Sequence, residues 1–277
     1  MKIFLTGGTG FIGSHFINQA LEAKHELICL CRAGSQPRIP LKREPVWVEG
    51  SLENNLQSEL KGCDILLHLA AHSTNVPYDT LENCLYWNLT ASLQLLQQAR
   101  EAGVKKFIVT GTGFEYGQSG EEHEFISVDA PLKPTMTYPA SKAAASIVFQ
   151  QWAIENNLKM QYLRIFQVFG EGEDDNRLWP SLKKAALSGE DVNLTEGEQI
   201  RDFISVEEVA YQFMQALNFN KVECGNPLFK NIGTGKPQTI RNFAEYWWDM
   251  WGAKGNLHFG EKPYRKNEVM RFVPKIL

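Results

Sequence analysis

The chain of 277 residues carries 28 Lys and Arg against 32 Asp and Glu, a net charge of -4, with 43% apolar and 22% charged residues. That balance excludes disorder, collagen and coiled coil, and it leaves enough chain for one large α/β unit or one domain with a smaller companion. No cluster of Lys and Arg offers an electrostatic footprint for a nucleic acid or an anionic membrane, so a small molecule is the expected partner.

In chain order, Lys2 to Leu5 reads as a strand, Phe11 to Ala23 as a helix, and Leu27 to Leu30, Val46 to Val48 and Asp64 to Leu69 as further strands. A long helix follows from Leu81 to Ala102, then a strand from Lys106 to Thr110, a helix from about Ser141 to Glu155 and a strand from Gln161 to Phe166. Near-continuous apolar strands alternating with helices predict a doubly wound parallel sheet covered on both faces, an α/β fold of Rossmann type. Beyond Gly170 the rhythm loosens, with helices near Leu178 to Leu187, Val206 to Leu217 and Ile240 to Trp251. Residues 1–169 are therefore expected to bind a dinucleotide and 170–277 to form a smaller substrate-binding domain, with 200–232 free to pack back on the first. No apolar run approaches the roughly 18–20 residues that span a bilayer, and the N-terminus reads as a mature cytoplasmic start. The five cysteines form no C-x-x-C pair and read as buried, reduced thiols, with no metal site expected.

Between the first strand and helix lies Thr6-Gly7-Gly8-Thr9-Gly10-Phe11-Ile12-Gly13. A glycine-rich turn in that setting suits a pyrophosphate: the turn is tight, backbone N–H groups can approach the phosphates at a helix N-terminus, and helix and sheet pack closely. Such sites usually place an acidic residue at the end of the second strand, and here the chain reads Cys31-Arg32. Without a carboxylate to repel a 2′-phosphate, Arg32 favours NADP(H), with NAD(H) possible. Arg32 also reads as a plain surface charge.

Tyr138 and Lys142 stand four residues apart on one helix face, and Thr110-Gly111-Thr112-Gly113-Phe114-Glu115-Tyr116-Gly117 follows the fifth strand. Together with the glycine turn, His68-Leu69-Ala70-Ala71, Asn88, Leu163-Arg164 before Gly170, and Arg201-Asp202-Phe203-Ile204, these segments resemble the extended short-chain dehydrogenase/reductases. This is the NAD-dependent epimerase/dehydratase family, whose members mostly act on nucleotide sugars. The resemblance covers essentially the whole length. It implies that Tyr138 is the proton donor or acceptor, Lys142 binds the nicotinamide ribose and Thr112 stands for the usual catalytic Ser or Thr. It places Gly7, Gly10, Phe11, Ile12, Gly13, Arg32, Ser51, Leu52, Leu69, Ala70 and Ala71 along the cofactor, with Tyr138 and Lys142. Physical chemistry agrees with those roles. A ketone receiving hydride develops negative charge on oxygen that Tyr138 and Thr112 can meet with hydrogen bonds, and a nearby Lys142 ammonium is expected to lower the Tyr138 pKa.

Departures from the family pattern narrow the reaction. Gly113-Phe114 replaces the Asp-Glu pair of the dehydratases, and Phe114 replaces the Cys of enzymes resembling GDP-fucose synthase. Hydride transfer alone remains, and Arg32 tilts the expectation toward an NADPH-dependent reductase of a nucleoside-diphosphate 4-keto-(6-deoxy)hexose. The alternative is a nucleotide-sugar 4-epimerase holding NAD through its cycle. A dinucleotide-sensing scaffold of the same fold is a third reading, disfavoured by the intact Thr112, Tyr138 and Lys142 set.

Arg201, Arg265 and Glu268 match family positions that hold the substrate diphosphate and ribose, although each also reads as a surface ion pair. Gln167 and Arg177 are further substrate candidates. His72 and Ser73 are expected to meet the sugar, with His72 either an acid/base or a hydrogen-bonding loop residue. The helix from Leu81 to Ala102 carries Leu85, Leu89, Leu93, Leu96 and Ala99 along one side, matching either the helix through which relatives form homodimers or a buried core face. Relatives usually continue into a final helix where this chain reaches Leu277.

Overall fold

The computed structural model describes residues 1–265 and 268–276; Lys266, Asn267 and Leu277 lie outside the described residues. In chain order the larger part comprises β1 (Lys2–Thr6), α1 (Phe11–Glu22), β2 (Glu26–Cys31), β3 (Val46–Glu49), α2 (Gln57–Leu60), β4 (Ile65–His68), α3 (Leu81–Leu85), α4 (Ser92–Glu101), β5 (Lys106–Thr112), α5 (Thr137–Glu155) and β6 (Lys159–Ile165). It continues with β7 (Gln167–Phe169), α6 (Leu178–Ser188), β8 (Val192–Leu194), β9 (Ile200–Arg201), β10 (Phe203–Ser205), α7 (Val206–Ala216), β11 (Leu228–Ile232), β12 (Gln238–Thr239), α8 (Ile240–Met250), β13 (Leu257–Phe259) and β14 (Arg271–Phe272).

Seven strands form one parallel sheet in the order β11-β6-β5-β4-β1-β2-β3. The chain moves outward in one direction through β2 and β3 and in the other through β4, β5 and β6. The crevice at the carboxyl ends of β1 and β4 is therefore the switch point at which such sheets bind ligands. Apolar residues on both faces of the central strands require cover on both sides. On one face Ile3, Leu5, Leu67 and Ile108 pack with Phe16 and Ile17 of α1 and Val209 and Phe213 of α7. On the other, Phe4, Leu66, Phe107 and Val109 pack with Leu95 and Leu96 of α4 and Phe149 and Trp152 of α5. Through α7 and β11, residues 206–232 complete this unit. A separate apolar cluster of Leu182, Ala185, Leu194, Ala244 and Trp248 lies between α6 and α8.

The expected single helix from Leu81 to Ala102 is interrupted. Between α3 and α4 the chain widens into a π turn over Tyr86–Ala91. Two buried polar side chains on the inner face account for it. The Ser92 hydroxyl donates to the Trp87 carbonyl oxygen at 2.8 Å, and the Asn88 amide is drawn toward His72 and Ser141. Leu95, Leu96 and Ala99 are fully buried against the sheet, so much of the apolar side is core. No helix among the described residues is long and apolar enough to cross a membrane.

Candidate active site

The glycine turn is built by contacts that no side chain would fit. Gly7 has φ +75°, and a Cβ on it would stand 2.6 Å from the Ala70 nitrogen; one on Gly13 would stand 2.1 Å from the Gly7 carbonyl oxygen. The Gly10 N–H donates to that same oxygen at 3.0 Å. The turn is thereby clamped between the start of α1 and the Leu69-Ala70-Ala71 segment, which the Thr6 hydroxyl holds by accepting from Ala70 N–H at 3.3 Å. Gly10 caps α1 without a side-chain hydrogen bond, and the first turn, which includes Phe11 and Ile12, has no acidic residue. That leaves the positive end of the helix facing the crevice, a cradle that fits a dinucleotide pyrophosphate. Arg32 is exposed just past β2, while Ser51 and Leu52 follow β3 half-buried. The Gly50 N–H donates to the Cys31 carbonyl oxygen at 2.8 Å, which brings these two strand ends together.

Thr112 closes β5 and caps a single helical turn: its hydroxyl accepts from Phe114 N–H at 3.3 Å, and its own N–H donates to Glu115 Oε1 at 2.9 Å. Tyr138 and Lys142 project from the first two turns of α5, and both are buried. Pro139 is tolerated there because N–H groups of a first helical turn have no intrahelical acceptor. The Tyr78 ring lies 5.4 Å from that of Tyr138. Burial pulls Lys142 down to about 8, opposed by the charge of Glu115. The expected lowering of Tyr138 by Lys142 is not what this arrangement produces. Burial pushes the Tyr138 phenol up, with Glu115 and Tyr78 adding to the shift, and the opposing charge comes from Arg177. Beneath them His68 is held neutral, its pKa brought down to about 3 by burial and then by Lys142. Its ring nitrogens lie 2.7 Å from Thr6 Oγ1 and 2.9 Å from Ser92 Oγ.

The loop after β4 is closed on itself. His72 Nε2 lies 2.8 Å from Asp79 Oδ2, Ser73 sits at φ +64° with its hydroxyl accepting from Asp79 N–H, and Thr137 Oγ1 donates to the Asp79 carbonyl oxygen. Asn88 Oδ1 accepts from His72 N–H at 2.7 Å, and its Nδ2 donates to Ser141 Oγ at 3.0 Å, pinning this loop to α5. His72 is thus engaged by a carboxylate, an arrangement compatible with either of the two roles open to it.

On the other wall, Gln167 and Arg201 line one small cavity with Gly113, Phe114 and Phe272. Arg201 Nη2 donates to Glu268 Oε1 at 2.7 Å, joining two expected substrate residues in an ion pair. Arg265 is exposed and its charge acts on Tyr78, while that of Arg177 acts on both Tyr78 and Tyr138. Three participants escaped the sequence reading. Tyr78 and Glu173 sit in irregular loops that carry no periodic signal, and Glu115 lies inside a segment noted for what its neighbours lack. Glu173 is buried, its Oε1 lies 3.4 Å from Arg177 Nε, and burial raises it to about 7.

Comparison with known proteins accords with this geometry. Residues 3–229 match the model of the NAD dependent epimerase/dehydratase family. A UDP-glucose 4-epimerase of Corynebacterium glutamicum is 26% identical over 264 residues, which cover 88% of this chain and 79% of that protein. Among solved structures, a UDP-glucose 4-epimerase of Thermotoga maritima with UDP-glucose superposes with a TM-score of 0.87 at 27% identity, covering 100% of this chain and 90% of that one. A UDP-glucose 4-epimerase of Thermus thermophilus in complex with NAD gives 0.84 at 25% identity, covering 99% and 90%. A cradle for a dinucleotide at the switch point, Thr112 at the carboxyl end of β5 with Tyr138 and Lys142 at the start of α5, and a family match over most of the chain agree: the chain belongs to the NAD dependent epimerase/dehydratase family of enzymes.

Proposed function

We propose that the chain is a nucleoside-diphosphate-sugar 4-epimerase working with NAD(H). The observation that carries the reading is the meeting of Thr112, Tyr138 and Lys142 at the carboxyl end of β5, beside the Gly7 to Gly13 cradle. A nicotinamide dinucleotide bound there supplies the hydride acceptor and donor. Tyr138 donates its proton to the substrate oxygen when the ketone is reduced and would take it back in the reverse step, where the positive charge of a bound nicotinamide ring would offset the burial that raises its phenol. Thr112 donates a hydrogen bond to the same oxygen, and Lys142 binds the ribose beside them. Arg177, Arg201 and Arg265 are suited to a diphosphate because guanidinium groups donate bidentately. Elimination is disfavoured because Gly113 and Phe114 bring no carboxylate next to Thr112, and the Phe114 ring stacks on Phe272 at 5.6 Å. The relatives support the epimerase better than they support the reductase favoured by Cys31-Arg32.

A second reading, NADPH-dependent reduction of a nucleoside-diphosphate 4-keto-(6-deoxy)hexose, is favoured by one observation: Arg32 is exposed at the end of β2, where the dinucleotide ribose is expected. One experiment separates the two. The purified protein is denatured to release any bound dinucleotide and, in parallel, incubated with UDP-glucose and UDP-galactose without added cofactor. Released NAD and interconversion of the two sugars support the epimerase. No interconversion, with NADPH consumed against a 4-keto sugar and at least ten-fold tighter NADPH than NADH binding, supports the reductase. A homodimer through α4 and α5 is also proposed, on the strength of Ile147 and Ile154, exposed along α5; light scattering tests it.

A further inference from the structure

Directly below Thr112 and Lys142 lies a charge that the proposed chemistry leaves unused. Glu115 is 0% exposed. Its Oε1 accepts from Thr112 N–H at 2.9 Å and from the Tyr162 hydroxyl at 3.0 Å, and its Oε2 accepts from Arg164 Nε at 2.7 Å. The same Tyr162 hydroxyl lies 3.2 Å from the Lys142 carbonyl oxygen, so one carboxylate links the end of β5, the start of α5 and β6. Arg164 is itself spent: it donates to the Tyr116 hydroxyl at 2.8 Å and the Val128 carbonyl oxygen at 3.0 Å. Gly111 admits the group, since a Cβ there would stand 2.6 Å from Glu115 Oε1 and 2.3 Å from the Tyr162 ring.

A buried ion pair is often replaceable by apolar residues without loss of stability, so this one calls for a role in the site. The titratable and charged groups around Lys142 are His68 on β4, Tyr138 on its own helix, Glu115 after β5, and Tyr162 and Arg164 on β6. Burial favours the neutral form of the histidine and of both phenols. Burial raises the Glu115 pKa, and the Arg164 charge and the Thr112 N–H oppose it. Every polar contact to Glu115 is a donor and one is a guanidinium at 2.7 Å, so among these groups it is the one built to carry a negative charge.

We propose that Glu115 is the positioning residue of this site, fixing the Thr112 backbone and supplying the negative charge that keeps the Lys142 side chain protonated in a buried setting. This rests on reading Lys142 as the ammonium that binds the dinucleotide ribose. The test titrates the cofactor-stripped protein with NADH from pH 6 to 10, following tryptophan quenching. Five chains are compared: the wild type, Lys142→Met, Glu115→Gln, Glu115→Asp and the double variant Glu115→Gln/Arg164→Gln, which removes the ion pair as a unit and leaves no orphaned guanidinium. Wild-type affinity is expected to fall as Lys142 loses its proton, and Lys142→Met to abolish that fall. Glu115→Gln and the double variant are expected to move the fall to lower pH by about one unit or more. Glu115→Asp, which keeps the charge, is expected to stay closer to the wild-type profile. A fall that remains at its wild-type pH in the folded double variant overturns the proposal. A wild type that binds no NADH, or a fall that Lys142→Met leaves in place, overturns the reading of Lys142 instead, and the proposal with it.

Discussion

Replacing Gly13 with Ala sets two physical effects against each other. Gly13 lies inside α1, where Ala is intrinsically better than Gly by about 1 kcal/mol, so helix propensity alone predicts a more stable protein. The contacts predict the reverse. The new methyl would stand 2.1 Å from the Gly7 carbonyl oxygen, 2.8 Å from the Gly8 Cα and 2.9 Å from the Gly7 carbonyl carbon, all of them backbone atoms. Ordinary contacts of this kind lie near 3.5 Å, so α1 must lift from the turn by about 1.4 Å. Overpacking against backbone that cannot rotate away costs about 1–3 kcal/mol, which outweighs the propensity gain or at best cancels it. The lift also opens the cradle, so dinucleotide affinity should fall further than stability does. Urea denaturation with and without NADH, together with an NADH titration, measures both. A Gly13→Ala protein more stable than the wild type, with unchanged NADH affinity, would refute the argument that close approach makes this glycine necessary.

Three further outcomes are expected. Tyr138→Phe should reduce turnover of the nucleotide sugar by about 10²–10⁴-fold while NADH still binds, as a steady-state assay beside a binding titration will show. Arg201→Ala should raise KM for the nucleotide sugar with little change in NADH affinity, because it removes a guanidinium and leaves Glu268 unpaired at the substrate wall; equal losses of both affinities would contradict the assignment. Glu173 predicts a pH dependence of stability. Its pKa rises from an ordinary 4.5 to about 7 on folding, so its protonated form favours the fold below pH 4.5, and that contribution is lost as the pH rises through 7. Glu173→Gln should flatten the decline of Tm between pH 5 and 8, and a decline identical to the wild type would show that another group causes it.

What was legible in advance is what the chain encodes locally. Lys2 to Leu5 and Asp64 to Leu69 announce buried parallel strands because an unbroken apolar run must be covered on both faces. The glycine turn is one loop between one strand and one helix, and Tyr138 and Lys142 are one helical turn apart, so each needs nothing beyond short-range geometry. The π turn at Tyr86–Ala91 was not legible, because it arises from the partners Asn88 and Ser92 find at His72, Ser141 and His68, which periodicity does not reveal. Nor was the raised phenol of Tyr138, since burial is a property of the finished fold and outweighs the opposing charge of Arg177.

The sequence by itself determined the fold class and the cradle, and it singled out Thr112, Tyr138 and Lys142 as the proposed reacting set. Tertiary structure alone decided which groups share a field. It brought Glu115 and Arg164 to 2.7 Å across 49 residues of chain, Arg201 and Glu268 to 2.7 Å across 67, and the charges of Arg177 and Arg265 to bear on Tyr78. The physical reason is one of range. Backbone preference and helical spacing act over a few residues, whereas electrostatics and desolvation act through space and take effect only once distant segments have been packed together.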